Sequence, residues 1–136
     1  ALRASIAGLK PGVKIKHWQE AAEEHLAREC VDLGLLKAAD LALRPEDPMQ
    51  RPVKRYFMHG LGHPLGLDVH DVGLTTEPIA AGWVMTVEPG LYLREEGFGV
   101  RLENDILVTE SGPVDVMADT ARLPSRMTVT GRSSAE

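Results

Sequence analysis

The first half of the chain carries a helical pattern of apolar residues. Between residues 18 and 33, apolar side chains recur every three or four positions while Glu and Arg occupy the opposite face, which predicts an amphipathic helix. Gly34 follows the last apolar position and is predicted to end this helix. A shorter helix is predicted over residues 2–9, before the turn at Pro11-Gly12. The apolar face of the longer helix consists of Trp18, Ala22, Leu26, Cys30 and Leu33.

The second half carries the alternating pattern of β-strands. A strand is predicted over residues 83–87, a turn at Pro89-Gly90 and a returning strand over residues 91–93. Residues 99–109 show the most regular alternation and predict one further strand. Its two faces are Val100, Leu102, Ile106 and Val108 on the apolar side, and Arg101, Glu103 and Asp105 on the polar side.

The remaining segments are rich in residues that interrupt regular structure. Ser111-Gly112-Pro113 is predicted to close the long strand, with a short final strand over residues 114–117 and a polar, frayed end from residue 125. A loop is predicted around Pro45, Pro48 and Pro52, because each proline lacks an N–H and restricts the residue before it. An irregular backbone is predicted for the segment that carries Gly60, Gly62, Pro64, Gly66 and Gly73.

Size and charge exclude several classes of function. The chain has 136 residues and a mass of 14.8 kDa, which predicts one domain. A net charge of −5 provides no basic surface for nucleic acid. The longest stretch without a charged residue, 56–67, is too short to span a membrane. With one cysteine, Cys30, and no basic-then-apolar leader, a cytoplasmic location is expected.

Histidines and carboxylates cluster in the segment HGLGHPLGLDVHD. It contains His59, His63 and His70 with Asp68 and Asp71, a mixture typical of divalent metal sites. The four-residue spacing of the first two histidines suits a zinc-binding helix, but the glycines and proline between them disfavour a helix. A mononuclear zinc hydrolase that uses the three histidines together is therefore a weaker hypothesis.

Two glutamates stand out by position. Glu88 ends an apolar strand directly before Pro89-Gly90, and Glu103 lies in the middle of VRLEND on the same face as Arg101. Taken singly, each is more simply explained as part of a solvated strand face.

Three ordered motifs together resemble a known family. GLGHPLGLDVHDVG, VMTVEPGLYL and GVRLENDILVTESG are similar to the Xaa-Pro branch of the pita-bread metallopeptidases, which includes aminopeptidase P and prolidase-like dipeptidases. The resemblance covers residues 1–118 and leaves 119–136 as a polar C-terminal tail. It implies an α+β fold, a half or truncated pita-bread domain in which N-terminal helices pack on an antiparallel-rich curved sheet.

The resemblance also implies a site. His63, Glu88 and Glu103 correspond to metal ligands of a dinuclear centre, in which Glu103 bridges the two ions. His70 corresponds to a residue that contacts substrate. His59 and Arg101 correspond to residues that line the proline-side pocket and support the metal shell. An oxygen-rich set with one imidazole favours Mn²⁺, with Co²⁺ or Zn²⁺ as alternatives.

Two further side chains of the histidine segment have other expected roles. Asp71 is expected to orient a neighbouring histidine, since such acceptors fix the imidazole tautomer. Asp68 is expected to serve only the loop structure.

The chain also departs from the family pattern. The family uses two aspartate ligands that precede the region matched by this chain, and Asp32, Asp40 and Asp47 resemble neither. Three explanations stay open: a fragment, a half-domain that pairs with a copy or a complementary half, or a mononuclear site. Incomplete catalysis in isolation and a homo-oligomer are the favoured expectations.

The predicted function is metal-dependent hydrolysis of Xaa-Pro bonds, acting on peptides with proline at the second position. The alternative is a catalytically inactive binding or assembly module that keeps the fold.

Overall fold

Helices precede strands in the computed structural model, which describes residues 1–72 and 76–118. Helix α1 covers Leu2–Ala7 and α2 covers Ile15–Asp32. Short 3₁₀ helices follow at Ala38–Ala42, Pro48–Gln50, Pro52–Arg55 and Arg94–Glu96. The strands within the described residues are β1 Pro64–Leu65, β2 Val84–Val87, β3 Gly90–Leu93, β4 Phe98–Arg101, β5 Asn104–Thr109 and β6 Gly112–Asp115.

Both predicted helices are present. Helix α2 begins at Ile15, three residues before the predicted start, and its buried face carries four of the five predicted residues, whereas Leu33 is exposed. Gly34 has a φ of +75° and donates its N–H to the Val31 carbonyl, while the N–H of Leu35 reaches the Cys30 carbonyl. This bond pattern is a Schellman motif, so the role predicted for Gly34 is confirmed.

The strands form two antiparallel sheets. The main sheet has the order β1-β2-β5-β6, and β3 pairs with β4 in a separate two-stranded sheet. The helices pack against the main sheet over one apolar core, which confirms the predicted α+β arrangement. The core consists of Leu9, Trp18, Ala22, Leu26, Val53, Phe57, Leu61, Ile79, Met85, Val87, Ile106 and Val108.

Two strand predictions were wrong. β3 does not return along β2, and residues 99–109 do not form one strand, because the chain leaves regular structure at residues 102–103. The same register nevertheless continues through both sheets, with Val87 opposite Asn104 and Gly90 opposite Arg101. The two sheets are thus parts of one two-stranded antiparallel ribbon. One of its strands consists of β2 and β3, separated by residues 88–89, and the other consists of β4 and β5, separated by residues 102–103.

Pro89 explains the interruption. It has no N–H to donate to the ladder, so a regular sheet cannot run through this position. The Pro89 carbonyl still accepts the N–H of Leu102 at 3.2 Å, which holds the two connecting segments, residues 88–89 and 102–103, side by side. Glu88 and Glu103 therefore lie opposite each other where the ribbon passes from one sheet to the other.

The proline-rich and glycine-rich segments are mostly as predicted. The proline segment contains short 3₁₀ helices instead of an entirely irregular loop, with Pro48 and Pro52 at their first positions, where no N–H is required. The glycine-rich segment is irregular apart from β1. A turn at residues 110–111 closes β5 onto β6, but Gly112 and Pro113 belong to β6, which corrects the predicted turn and the predicted final strand over residues 114–117. Gly73, the polar tail 119–136 and the predicted frayed end lie outside the described residues.

No helix within residues 1–72 and 76–118 combines the length and apolar character that a bilayer crossing requires.

Candidate metal centre

One arginine joins the two opposed glutamates. Arg101 Nη1 lies 3.0 Å from Glu88 Oε2, and its Nη2 lies 2.9 Å from Glu103 Oε2. Glu88 is buried, whereas Glu103 is exposed at the edge of the site. Two carboxylates in this position have a net negative charge that a single guanidinium does not fully neutralise. Glu103 lies at the interruption between β4 and β5, which corrects its predicted mid-strand position.

His63 faces the buried glutamate. Its Nε2 lies 3.5 Å from Glu88 Oε1, and its Nδ1 lies 3.0 Å from the Pro64 carbonyl oxygen. A carbonyl only accepts, so the Nδ1 contact is a donation from the ring, and a neutral imidazole in this orientation directs its Nε2 lone pair at Glu88. Two acceptors that face each other at this distance favour a cation between them.

Thr86 holds both groups, and the sequence analysis did not identify it. Its hydroxyl donates to Glu88 Oε1 at 3.2 Å and accepts the His63 N–H at 3.0 Å, while the Thr86 N–H donates to the His63 carbonyl at 2.9 Å. Thr86 and Glu88 are two residues apart and share a face. The sequence shows only a threonine within the apolar stretch VMTV, two positions before a candidate ligand, and this does not reveal which groups its hydroxyl contacts.

Gly62 allows the histidine loop to approach the sheet. A Cβ atom at this position would lie 1.9 Å from the Thr86 carbonyl oxygen, so any residue with a side chain would clash with the backbone of β2. Glycine is therefore required for His63 to pair with β2.

His70 lies against His63. Their ring centroids are 3.9 Å apart with an interplanar angle of 20°, a stacked arrangement. The Asp71 carboxylate accepts the backbone N–H groups of Leu67 at 2.9 Å and Val72 at 2.7 Å. The prediction that Asp71 orients a histidine is corrected, because it stabilises the loop that carries His70. The Asp68 carbonyl accepts the Gly66 N–H, consistent with its predicted loop role.

His59 has different partners. Its Nε2 lies 2.9 Å from the Tyr92 hydroxyl, its Nδ1 lies 2.7 Å from the Gly60 carbonyl oxygen, and its ring contacts Phe57 edge-on. Tyr92, on β3, is a further residue that the sequence analysis missed. Both nitrogens of His59 are therefore engaged by protein groups other than His63, Glu88 and Glu103.

The structure brings only part of the predicted ligand set together. Across residues 1–72 and 76–118, no three His, Cys, Asp or Glu side chains are grouped closely enough to hold a metal ion. The three-histidine zinc hypothesis is therefore wrong for this arrangement. His63 contacts Glu88, and Glu103 is connected to Glu88 through Arg101.

The donor chemistry still fits a divalent cation. A neutral imidazole and two carboxylates are the side chains that such ions prefer. His63 has its second nitrogen on a carbonyl and Glu88 has a hydroxyl donor, as expected for oriented ligands.

Comparisons with known proteins identify the family. The sequence model of metallopeptidase family M24 matches residues 1–110. Xaa-Pro aminopeptidase 1 of Streptomyces coelicolor is 37% identical over 145 residues, covering 90% of this chain and 27% of that protein. The Escherichia coli Xaa-Pro aminopeptidase is 34% identical over 139 residues, covering 93% and 31%.

A solved structure gives the same result. Aminopeptidase P from E. coli with the inhibitor Pro-Leu superposes with a TM-score of 0.73 at 34% identity, covering 88% of this chain and 29% of that one. A zinc-substituted form of the same enzyme in complex with product matches equally well. The chain thus spans less than a third of the length of these relatives, as the predicted partial domain implies. It belongs to metallopeptidase family M24 and is similar to the Xaa-Pro aminopeptidases.

Proposed function

We propose that this chain supplies part of the active site of a metal-dependent peptidase that cleaves Xaa-Pro bonds. The observation that carries the proposal is the directed pair of His63 Nε2 and Glu88 Oε1 at 3.5 Å, with Glu103 opposite Glu88 across the ribbon. His63, Glu88 and Glu103 would hold the metal. When bound, divalent ions polarise the scissile carbonyl and lower the pKa of a bound water.

Manganese is the proposed metal. One imidazole with two carboxylates is a hard, oxygen-rich set that suits Mn²⁺, with Co²⁺ and Zn²⁺ as alternatives. Cys30, the one cysteine of the chain, is fully buried and belongs to no such set, so the proposed ligands include no thiolate.

The proposed substrate is a peptide with proline at its second position. An Xaa-Pro bond has no N–H, so recognition depends on the ring and on the carbonyl. His70 is exposed beside His63 and is proposed to donate to the substrate. His59 and Arg101 are proposed to shape the proline side and to balance the carboxylate charge.

We propose that the isolated chain binds metal without efficient turnover. The family pattern requires two aspartate ligands, but Asp40 accepts the Lys37 N–H at 2.8 Å and Asp47 accepts the Met49 N–H at 2.9 Å. Both carboxylates stabilise local turns instead. A metal-free assembly module is the alternative.

Calorimetric titration with Mn²⁺ tests the proposal. The unaltered chain and a His17→Ala control, altered at an exposed histidine on α2, should bind Mn²⁺, whereas His63→Ala should lose the binding. Equal weak binding by all three proteins would contradict a metal site. Hydrolysis of an Xaa-Pro dipeptide or of a longer Xaa-Pro peptide by the isolated chain would overturn both the proposed lack of turnover and the module alternative.

A further inference from the structure

A buried ion pair lies behind the loop that carries the histidines. Glu23, on α2, is 3% exposed, and its Oε1 is 2.6 Å from Nζ of Lys54 in the 3₁₀ helix Pro52–Arg55. Arg51 Nη1 lies 3.3 Å from Glu23 Oε2. Lys54 and Arg51 offset the cost of burying this carboxylate. The sequence analysis assigned no role to these residues.

Glu23 determines the orientation of a neighbouring amide. Gln19, one turn earlier on α2, donates its Nε2 to Glu23 Oε1 at 2.7 Å. An ionised carboxylate only accepts hydrogen bonds, so the NH₂ end of the amide must face Glu23 and the oxygen must face away. That oxygen accepts the Leu61 N–H at 2.5 Å.

The loop is held on its other side by β2. The Leu61 carbonyl accepts the Glu88 N–H at 2.7 Å, and the Leu61 side chain is fully buried. Two residues later, the His63 N–H bonds to Thr86. A continuous path of hydrogen bonds therefore runs from Glu23 through Gln19 and Leu61 to the backbone of Glu88.

We infer that Gln19, oriented by Glu23, is a positioning residue that sets how His63 faces Glu88. It touches neither a metal-ligand side chain nor a substrate, and it reaches the histidine loop through the Leu61 N–H and, at 3.5 Å, through the His59 carbonyl. The inference rests on the proposed function, in which His63 and Glu88 bind metal. Groups behind metal ligands commonly change metal affinity 10- to 100-fold when removed.

Two variants of Gln19 test the inference. Gln19→Met keeps length but not hydrogen bonding, and Gln19→Asn keeps the amide but shortens its reach. Glu24→Gln is the matched control, because Glu24 is the adjacent carboxylate on α2 and pairs with Arg28 and Arg44 at the surface. The measurements are amide hydrogen exchange at Leu61, the imidazole ¹⁵N shifts of His63 without metal, and Mn²⁺ affinity by calorimetry.

Both Gln19 variants should exchange the Leu61 amide faster, shift the His63 ring signals and bind Mn²⁺ about 10- to 100-fold more weakly, while Glu24→Gln matches the parent chain. Faster exchange or a lower melting temperature with unchanged His63 signals would overturn the inference, since the role would then be structural only. If the parent chain binds no Mn²⁺, the proposed metal site fails, but the metal-free His63 signals still decide the positioning role.

Discussion

A single missing side chain, at Gly62, permits the contact between the histidine loop and β2. Gly62→Ala should destabilise the fold by about 3 kcal/mol, because the new Cβ meets the Thr86 carbonyl, which is backbone and cannot rotate away. Urea denaturation measures this loss. Gly60→Ala is the control, since no atom lies within 4 Å of a Cβ there. Equal stability of the two variants would show that the loop does not lie where the structure places it.

Cys30 is a residue whose chemistry follows from its burial. Burial raises the pKa of the Cys30 thiol, and the nearby Glu29 carboxylate raises it further. A smaller thiolate fraction at neutral pH and a covered sulfur both slow alkylation. We expect iodoacetamide to modify Cys30 much more slowly in the folded chain than in urea, as measured by mass spectrometry. Similar rates in both conditions would contradict its place in the core.

For single residues, the sequence identified the candidate metal ligands but not the residues that hold them in place. His63 and Glu88 could be identified because imidazoles and isolated carboxylates have a recognisable chemistry. Thr86, Tyr92 and Gln19 are common residue types whose roles depend on which atoms the fold brings near them. Alternation and motif spacing contain no such information.

Among the elements, the interrupted ribbon is where prediction failed. Period-two alternation reports which face of a strand is buried, and it reports nothing about a change of partner sheet. Residues 99–109 keep their alternation across the interruption, so the sequence pattern resembles one strand. The helix boundaries were predicted more closely, because Gly34 and the apolar stripe of α2 are local signals.

Removing one partner of the buried ion pair that joins α2 to the 3₁₀ helix Pro52–Arg55 should lower the free energy of unfolding. Lys54→Met leaves the Glu23 carboxylate buried without its nearest cation, so we expect a loss of about 3–5 kcal/mol in urea denaturation. Glu24→Gln removes an exposed carboxylate from the same helix and should cost less than about 1 kcal/mol. Comparable losses would contradict the burial of the Glu23–Lys54 pair.

For the whole molecule, the pattern of apolar positions predicted helices before strands and the family resemblance implied an α+β fold, which the arrangement of helices on an antiparallel sheet confirms. What composition could not predict is which apolar surface stays uncovered. Leu67, Val69 and Val72 are strongly exposed on the loop beside His70. A cluster of this kind commonly marks a contact surface.

We therefore expect self-association of the chain through this loop. Sedimentation velocity should show concentration-dependent dimers that Leu67→Asp weakens. Leu43→Asp, at another exposed leucine, should leave the association unchanged. A monomer at all concentrations, or equal weakening by both variants, would argue against the loop as the contact.

The interruption of the ribbon has a mechanical consequence. The hairpin of β3 and β4 is connected to the main sheet by residues 88–89 and 102–103. Glu88 and Glu103 lie in these two connecting segments. An ion held by both carboxylates would tie these segments together, so filling the site would stiffen the hairpin. The resistance of residues 90–101 to protease cleavage would then report occupancy directly, even in a chain that hydrolyses no peptide of its own.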